Sequence, residues 1–561
     1  MKLALAQINP TVGDLDGNRE RIVSYAQQAA DAGADLVAFP ELCLTGYPPQ
    51  DLLSNPLFIE AVQDSIAQLT TEIPSGIGVI VGAPLPNPDT LGRPLYNTAL
   101  LLERDMGEAV VHTKALLPTY DVFDEDRHFE PGPKAGVVAW QGTRIGLHVC
   151  EDMWNCLPEE PHRRYTRDPV AELAEQKPDF LLNISASPFS VGKSKERERL
   201  LKGATTQHGV PFAFVNQVGA NTEIVFDGDS RVYTASGECA AAADRFEEDL
   251  LVVDMDALAP QPEPASDDIA NIHDALVLGI RDYYEKTGIF NKALVGLSGG
   301  IDSAVTCALA TEALGPDRVL GVTMPSEISS EGSVTDSEQL AHNLGIEFKE
   351  IPIAPAVDAF DMMLSAAFEG TDAGVAEENI QSRSRGITLM ALSNKFGHLL
   401  LSTGNKSEMA VGYVTLYGDT NGGVAVLSDV LKTRVYELAE YINTKAGTDR
   451  IPQNTIDKPP SAELRPDQQD TDSLPDYAVL DIILRRYVEE MQEADTIVAE
   501  TGYDADLVNH VLQMVDQNEY KRRQAPPGIR VTDKAFGVGR RIPIVMRWDR
   551  EAARRAARPV A

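Results

Sequence analysis

Three residues of unlike chemistry stand at the ends of apolar runs in the first half of the chain. Glu41 follows DLVAFP (35–40), Lys114 follows AVVHT, and Cys150 follows TRIGLHV and is itself followed by Glu151 and Asp152. A lone cysteine is most often a small buried hydrophobe. A carboxylate beside Pro40 and a lysine amid apolar residues have no such core role, and the ends of strands converge at one edge of a sheet. A thiol that attacks an amide carbon, a carboxylate that carries its proton and an ammonium that steadies an oxyanion are the parts of an acyl-transfer site.

A second kind of chemistry is written at 295–304, VGLSGGIDSA. Small residues between a strand-like and a helix-like segment let backbone N–H groups close on an anion, and the helix N-terminus adds its positive end. The spacing is neither G-x-x-x-x-G-K-S/T nor G-x-G-x-x-G. Asp302 inside such a turn calls for a cation, because a carboxylate and a phosphate repel.

The elements that must position these groups follow from periodicity. KLALAQI at the start, DLVAFP, GVIVGAP at 78–84, TRIGLHV at 143–149 and KALVGLS before the turn read as buried strands, whereas 18–32, 269–285 and 304–313 repeat apolar residues at helical spacing. Both halves therefore read as α/β. The break is LAPQPEPAS (258–266), whose prolines exclude a helix or a central strand. The expected division is 1–258, a linker at 259–268, and 269–561. A chain of 561 residues needs more than one core in any case.

Composition narrows the partners. The net charge is −36, yet 521–561 carry 12 Lys or Arg against 3 acids, a local +9 that leaves −45 on the rest. An acidic body argues against nucleic acid and anionic membranes. No apolar run reaches the ~18–20 residues needed to span a bilayer. The start reads as a strand rather than a signal peptide. Five scattered cysteines without a C-x-x-C pair point away from disulfides and zinc and toward a reducing cytoplasm.

The words around these residues carry a family resemblance. FPELCLTGYPPQDLL, HTKALLPTYDVFDEDRHFEPG and VCEDMW resemble the nitrilase/amidase superfamily. That resemblance implies an N-terminal α-β-β-α sandwich with a catalytic triad of Glu41, Lys114 and Cys150. In its glutamine-using branch, TYDVF and SASPFSVGKS assign Tyr120, Ser187 and Lys193 to glutamine, with Glu125 as a candidate second carboxylate. The SGGIDS loop resembles the N-type ATP pyrophosphatases, which implies a doubly wound parallel sheet. It also implies ATP contacts from Gly296, Leu297, Ser298, Gly299, Gly300, Ile301, Asp302 and Ser303.

ENIQSRSRG (378–386), LSTGNKSEMAVGYVTLYGDTNGG (401–423) and KPPSAELRPDQQDTDSLPDY (458–477) resemble the NAD synthetases, and the nitrilase-like half in front points to their glutamine-dependent members. Carried over by residue, Thr403 and Ser461 contact ATP, Asp302 and Glu408 hold Mg²⁺, and Asn379, Arg383, Glu408 and Lys521 bind deamido-NAD⁺. Lys432 reaches a phosphate. Leu416 stands near a substrate-contacting Lys of ammonia-only members, so Lys521, with Arg522, Arg523 and Arg530 around it, is the expected cation for the dinucleotide. Residues beyond Arg547 are expected to be a solvated or subunit-contacting end.

The resemblance implies ATP-dependent amidation of deamido-NAD⁺ to NAD⁺ with ammonia from glutamine, through an adenylate that releases AMP and pyrophosphate. It also implies Mg²⁺ as cofactor, a homo-oligomer, and a buried passage for ammonia. Two alternatives stand beside it: a nitrilase-fused pyrophosphatase that aminates or thiolates another acceptor, and a scaffold that has lost its chemistry.

Overall fold

The structure is a computed structural model that describes residues 1–104, 107–157, 164–465 and 468–547. The expected terminal end beyond Arg547 lies outside the described residues.

The first half builds two sheets. Its strands are β1 (Lys2–Gln7), β2 (Leu36–Ala38), β3 (Gly78–Pro86), β4 (Leu95–Glu103), β5 (Gly107–Thr113), β6 (Val138–Trp140) and β7 (Thr143–Val149). They continue with β8 (Phe180–Ser185), β9 (Phe212–Asn216), β10 (Val218–Asn221), β11 (Ile224–Asp227), β12 (Arg231–Tyr233), β13 (Cys239–Ala242) and β14 (Asp249–Asp254). One sheet runs β14-β1-β2-β3-β4-β5 and the other β13-β12-β9-β8-β7-β6. Helices α1 (Leu15–Asp31) and α2 (Pro56–Glu72) cover the first, and α3 (Pro169–Ala174) and α4 (Lys193–His208) the second.

Strand periodicity decides which layer each side chain joins. Leu3, Leu5, Leu36 and Ala38 meet Leu147, Val149, Leu182 and Ile184 between the sheets. Their neighbours Ala4, Ala6, Val37 and Phe39 turn outward onto Ile22, Ala26, Val62 and Ile66 of the helices. The result is the α-β-β-α sandwich that the resemblance implies.

Residues 258–267 have neither helix nor strand. After them come α5 (Asp268–Thr287), β15 (Ala293–Leu297), α6 (Ile301–Leu314), β16 (Val319–Thr323), α7 (Glu331–Leu344) and β17 (Glu347–Glu350). Next are α8 (Ala354–Leu364), α9 (Val375–Phe396), β18 (Leu399–Ser402), α10 (Lys406–Val411), β19 (Val424–Ala425) and α11 (Lys432–Ala446). The five strands pair in parallel in the order β17-β16-β15-β18-β19. Ala293, Val295 and Leu297 pack on one face with α5, α6 and α11, and Leu294 packs on the other with Leu389 and Met390 of α9. This is a doubly wound parallel sheet, as the resemblance implies.

The proline-rich segment interrupts the chain without separating the halves mechanically. Lys286 on α5 donates to Asn9 Oδ1 (2.7 Å) and to the carbonyls of Ala220 (2.9 Å) and Pro10 (3.1 Å). Phe189, Val218 and Val225 of the first half share one core with α5 and the second sheet. Residues 530–533 return from the far end of the chain to the first half. Val531 O accepts from Val191 N–H (2.9 Å), Arg530 N–H donates to Glu223 O (2.9 Å), and Asp533 accepts from Ser190 Oγ (2.6 Å). Arg530 also pairs with Asp121.

Candidate active sites

Glu41 lies just beyond β2, Lys114 directly follows β5 and Cys150 directly follows β7, so the triad is drawn from both sheets. Its approach depends on Gly82 of β3: a Cβ there would lie 2.3 Å from Leu42 N and 2.7 Å from Pro40 O. Cys150 takes φ +42°, a strained turn that lifts the thiol off the end of its strand.

Lys114 and Glu41 are wholly buried, and Glu125 and Cys150 nearly so. Lys114 Nζ donates to Glu41 Oε1 (2.7 Å) and Glu125 Oε1 (2.8 Å). Asn97 Nδ2 donates to Glu41 Oε1 (2.7 Å), and Ala186 N–H donates to Glu41 Oε2 (3.1 Å). Tyr47 OH donates to Glu125 Oε1 (2.7 Å), while Glu125 Oε2 and Asn97 Oδ1 are buried without a partner. Burial opposes the Lys114 ammonium, but the two carboxylates outweigh it and raise its pKa well above the ordinary lysine range. Burial, followed by the Glu41 charge, pushes the Cys150 thiol well above its ordinary value. At rest Cys150 is therefore a thiol, which would need a base before it could attack as a nucleophile.

Tyr120 and Lys193 come together beside the turn that carries Cys150. Tyr120 OH donates to both oxygens of Glu151 (2.9 Å each), and Tyr165 OH donates to Oε1 (3.0 Å). Lys193 Nζ lies 3.8 Å from the Trp154 ring centroid and pairs with Glu196 (2.8 Å). Ser187 is buried, its backbone held at both ends by the Asn216 amide. Sequence reasoning gave Glu151 no role. Its signal was an acid directly after the nucleophile, in a segment where burial now raises its pKa.

His148, in the strand that delivers Cys150, provides a test of how this layer tolerates charge. Burial, only partly offset by Asp152, lowers its pKa to about 4. Above pH ~6.5 both folded and unfolded chains hold it neutral. Between pH 6.5 and 4 the unfolded chain alone takes up the proton, so its contribution to stability falls with pH by about 1.4 kcal/mol per unit, about 3 kcal/mol in all. Urea midpoints measured across that window should fall less steeply for His148→Leu than for the parent. Parallel curves would show that His148 is not buried neutral.

The second site is a cavity of about 270 Å³ in the second half. It opens beyond the C-terminal ends of β15 and β18, the paired neighbours from which the strand order runs outward both ways, the topological switch point of the sheet. Gly296, Leu297, Ser298, Gly300, Ile301, Asp302, Ser303, Thr403, Glu408, Lys432 and Ser461 all line it. Gly299 supports the turn from behind: at φ +75°, a Cβ would lie 2.6 Å from Ser333 Cα. Ser303 Oγ donates to Gly300 O (2.9 Å), folding the cradle onto the first turn of α6.

Two carboxylates face one ammonium there. Lys432 Nζ binds Asp302 Oδ2 and lies 3.5 Å from Glu408 Oε1, while Asn405 Nδ2 donates to Asp302 Oδ1 (2.9 Å). Glu408 and Asn405 cap α10 reciprocally. Burial and then the Asp302 charge push Glu408 up to about 8. Lys458 and Asp470 line the same cavity and were not singled out from sequence as binding residues; Arg385, which the sequence leaves open between a binding role and solvated charge, lines it too. Lys458, which pairs with Glu463 (3.1 Å), opened the quoted KPPSAEL run.

Asn379, Arg383 and Lys521 lie outside the lining of this cavity. Asn379 Oδ1 accepts from Thr415 Oγ1 (2.8 Å), and Arg383 Nε donates to Leu416 O (3.2 Å). Lys521 Nζ donates to the carbonyls of Gly412 (2.7 Å) and Val414 (3.0 Å), behind Asp419 of the cavity wall. The expected open cationic field around Lys521 is not what forms. Arg522 and Arg523 pair with Glu519 (3.0 and 3.1 Å), and Arg530 pairs with Asp121. Proximity in sequence concentrates charge, but each guanidinium is consumed by the nearest carboxylate in space.

Comparison with known proteins follows the same division. Residues 2–260 match the carbon-nitrogen hydrolase family and residues 272–525 match the NAD synthase family. A glutamine-dependent NAD(+) synthetase of Synechocystis sp. is 46% identical over 554 residues, spanning 97% of this chain and 98% of its own. One from Acinetobacter baylyi is 42% identical, spanning 98% of each. The structure of glutamine-dependent NAD+ synthetase from Acinetobacter baumannii in complex with ADP is 40% identical, with a TM-score of 0.76 over 97% of this chain and 98% of that one.

Proposed function

Because the chain belongs to the glutamine-dependent NAD⁺ synthetases, which are ligases, we propose that it makes NAD⁺ through two half-reactions at the two sites above. The observation that carries this reading is the pairing of a buried Glu41–Lys114–Cys150 site with a phosphate cradle on a single chain.

At the first site Cys150 Sγ attacks the side-chain amide carbon of glutamine. Because the thiol rests protonated, Glu41 takes its proton as attack proceeds and returns it to the departing ammonia. Lys114, held charged, faces the developing oxyanion. A water that Glu41 deprotonates then attacks the thioester, the C–S bond breaks to release glutamate, and Glu41 returns the proton to Cys150 Sγ. Tyr120, Ser187 and Lys193 hold the amino-acid end, and Glu151, a buried carboxylate whose donors among the described residues are the Tyr120 and Tyr165 hydroxyls, supplies the charge that an α-ammonium requires. A cavity of about 220 Å³ abuts Glu125, walled in part by Val538 and Arg541 of the second half, and is the candidate outlet for ammonia.

At the second site ATP lies with its phosphates over 297–303, where the first turn of α6 offers unpaired N–H groups. The nicotinate carboxylate of deamido-NAD⁺ attacks the α-phosphorus and releases pyrophosphate; ammonia then displaces AMP from the adenylate. Activation is needed because a free carboxylate has no competent leaving group. The relative crystallised with ADP supports an adenine nucleotide as a ligand. Thr403 and Ser461 complete its pocket, and Asn379, Arg383 and Lys521 approach the dinucleotide from the wall beyond.

Asp302 and Glu408 would hold Mg²⁺. They fit it: Lys432 already places one positive charge between them, and Glu408 is raised by burial and then by the Asp302 charge, both of which a cation would offset. Among the described residues no three His, Cys, Asp or Glu side chains form a complete cage. Two carboxylates completed by phosphate oxygens and water match the way Mg²⁺ is usually held. When bound, the ion neutralises phosphate charge.

We place the enzyme in the cytoplasm, a reading supported by five cysteines that are all buried and form no disulfide among the described residues. No helix among the described residues is long and apolar enough to cross a membrane. A homo-oligomer is supported by α8, where Met362 and Met363 are 77% and 70% exposed.

The test is pyrophosphate release from ATP with deamido-NAD⁺ and with other carboxylate acceptors. Pyrophosphate should appear in step with NAD⁺ and only with deamido-NAD⁺. Release with a different acceptor alone would replace this substrate assignment.

A further inference from the structure

Glu41 and Lys114 belong to the first sheet and Cys150 to the second, so the triad depends on what holds one sheet edge against the other. Of the polar contacts that cross that gap, two bear on the triad itself. One is Glu41, through the Ala186 N–H beyond β8. The other is Asp152, which has no part in the chemistry described above.

Asp152 is wholly buried, yet it accepts four hydrogen bonds. Oδ1 accepts from the backbone N–H groups of Ala115 (3.0 Å) and Leu116 (2.9 Å). Oδ2 accepts from Val149 N–H (3.1 Å) and from His112 Nε2 (2.8 Å). The ring nitrogen must be the donor there, since a carboxylate only accepts. Three of the four donors flank Lys114 and the fourth immediately precedes Cys150. The bond from Asp152 back to Val149 closes the strained turn across the nucleophile itself. A left-handed, non-glycine residue persists only where its surroundings hold it.

We propose that Asp152, with His112 as its partner, is the positioning pair that sets the Cys150 thiol against the Lys114 ammonium. Burial alone would raise the Asp152 pKa. The His112 hydrogen bond and the Val149 N–H instead keep it below the ordinary range, so it remains an acceptor at neutral pH. His112 and Lys114 lie two residues apart on one strand line and therefore share a face. Asp152 thus grips the lysine segment on both sides of Lys114. A displacement of about 1 Å between reacting groups costs on the order of 100-fold in rate, the scale this bracket controls.

The inference rests on the glutamine-hydrolysing reading of the first site. The experiment compares Asp152→Asn, His112→Gln and His112→Ala in the full chain. Asparagine keeps the volume and one carbonyl for Ala115 and Leu116, but turns an amide N–H₂ toward Val149 N–H. In Asp152→Asn, kcat for glutamine hydrolysis should fall about 100-fold, with KM for glutamine within roughly threefold, since the four hydrogen bonds of the Asp152 side chain go to His112, Ala115, Leu116 and Val149 and to none of the groups proposed to hold glutamine. NAD⁺ synthesis from ammonium in the same sample should hold, because the second site is untouched. His112→Gln, which still donates to Oδ2, should retain more activity than His112→Ala.

A kcat near the parent's, a KM that rises in step with the loss, or equal loss of ammonium-supported synthesis would each overturn the positioning role. A parent protein that hydrolyses no glutamine would overturn instead the reading on which it rests.

Discussion

Replacement of Cys150 by alanine is expected to lower glutamine-supported NAD⁺ synthesis by about 10⁴-fold or more, the scale of removing a nucleophile. Synthesis from ammonium should stay within roughly twofold of the parent, since free ammonia bypasses the first half-reaction. The asymmetry follows from the geometry. Cys150 is buried among Glu41, Lys114 and Glu125, and its thiol contributes nothing to the cavity around Asp302. A water in place of Sγ is a poor substitute, because it is a far weaker nucleophile than a thiolate and an amide is far less reactive than the thioester that water normally attacks here. Parallel assays with glutamine and with ammonium chloride read both numbers from one preparation. Loss of both activities would mean that the sites do not work as two.

Asp302→Asn should have the opposite reach. Pyrophosphate release is expected to fall by about 10³-fold with either nitrogen donor, the cost of removing one preorganised charge from a transition state rich in phosphate oxygens. Asp302 Oδ2 neutralises Lys432 and Oδ1 orients Asn405, the residue that caps the helix carrying Glu408. The amide keeps the shape, halves the carboxylate pair that would hold the cation, and frees Lys432 onto Glu408 alone. Iodoacetamide should still alkylate Cys150 at the parent's rate, because among the described residues the Asp302 side chain bonds only Asn405 and Lys432 of the second half. Pyrophosphate release at the parent's rate would remove Asp302 from the site.

Much of the fold was legible because its signals are local. The strands expected at 78–84 and 143–149 appear as Gly78–Pro86 and Thr143–Val149, and the helix expected at 269–285 appears as Asp268–Thr287. Alternation and helical spacing act over a few residues, so the chain itself carries them. The cradle was legible for the same reason: Gly299, Gly300, Asp302 and Ser303 need only the end of one strand and the start of one helix to meet.

The candidate sites were legible as residues but not as geometry. Lys114 and Glu41 are 73 residues apart in sequence and share a 2.7 Å hydrogen bond. Nothing local says which carboxylate a buried lysine will find. Glu125 illustrates this: the structure places it on the other side of the same ammonium at 2.8 Å. Arg385, one of two arginines on α9, lines the cavity, whereas Arg383 bonds the Leu416 carbonyl. Two positions along a helix rotate a side chain by about 200°, and only the packing of that helix decides which one faces the site.

By itself, then, the sequence determined the elements, the family resemblance and the atoms able to react. These depend on short-range periodicity, turn chemistry and the words around Cys150 and Ser298. The tertiary structure alone decided the charges. The run from Lys521 that looked like an open basic field is folded inward, with Arg522 on Glu519, Arg530 on Asp121 and Lys521 itself on two carbonyls. It also decided that Asp152 would bracket Lys114 to Cys150 across two sheets. The physical reason is the same in each case. A buried charge takes whichever partner the fold brings within about 3 Å, and that distance is set by the packing of whole layers rather than by any neighbour in the chain.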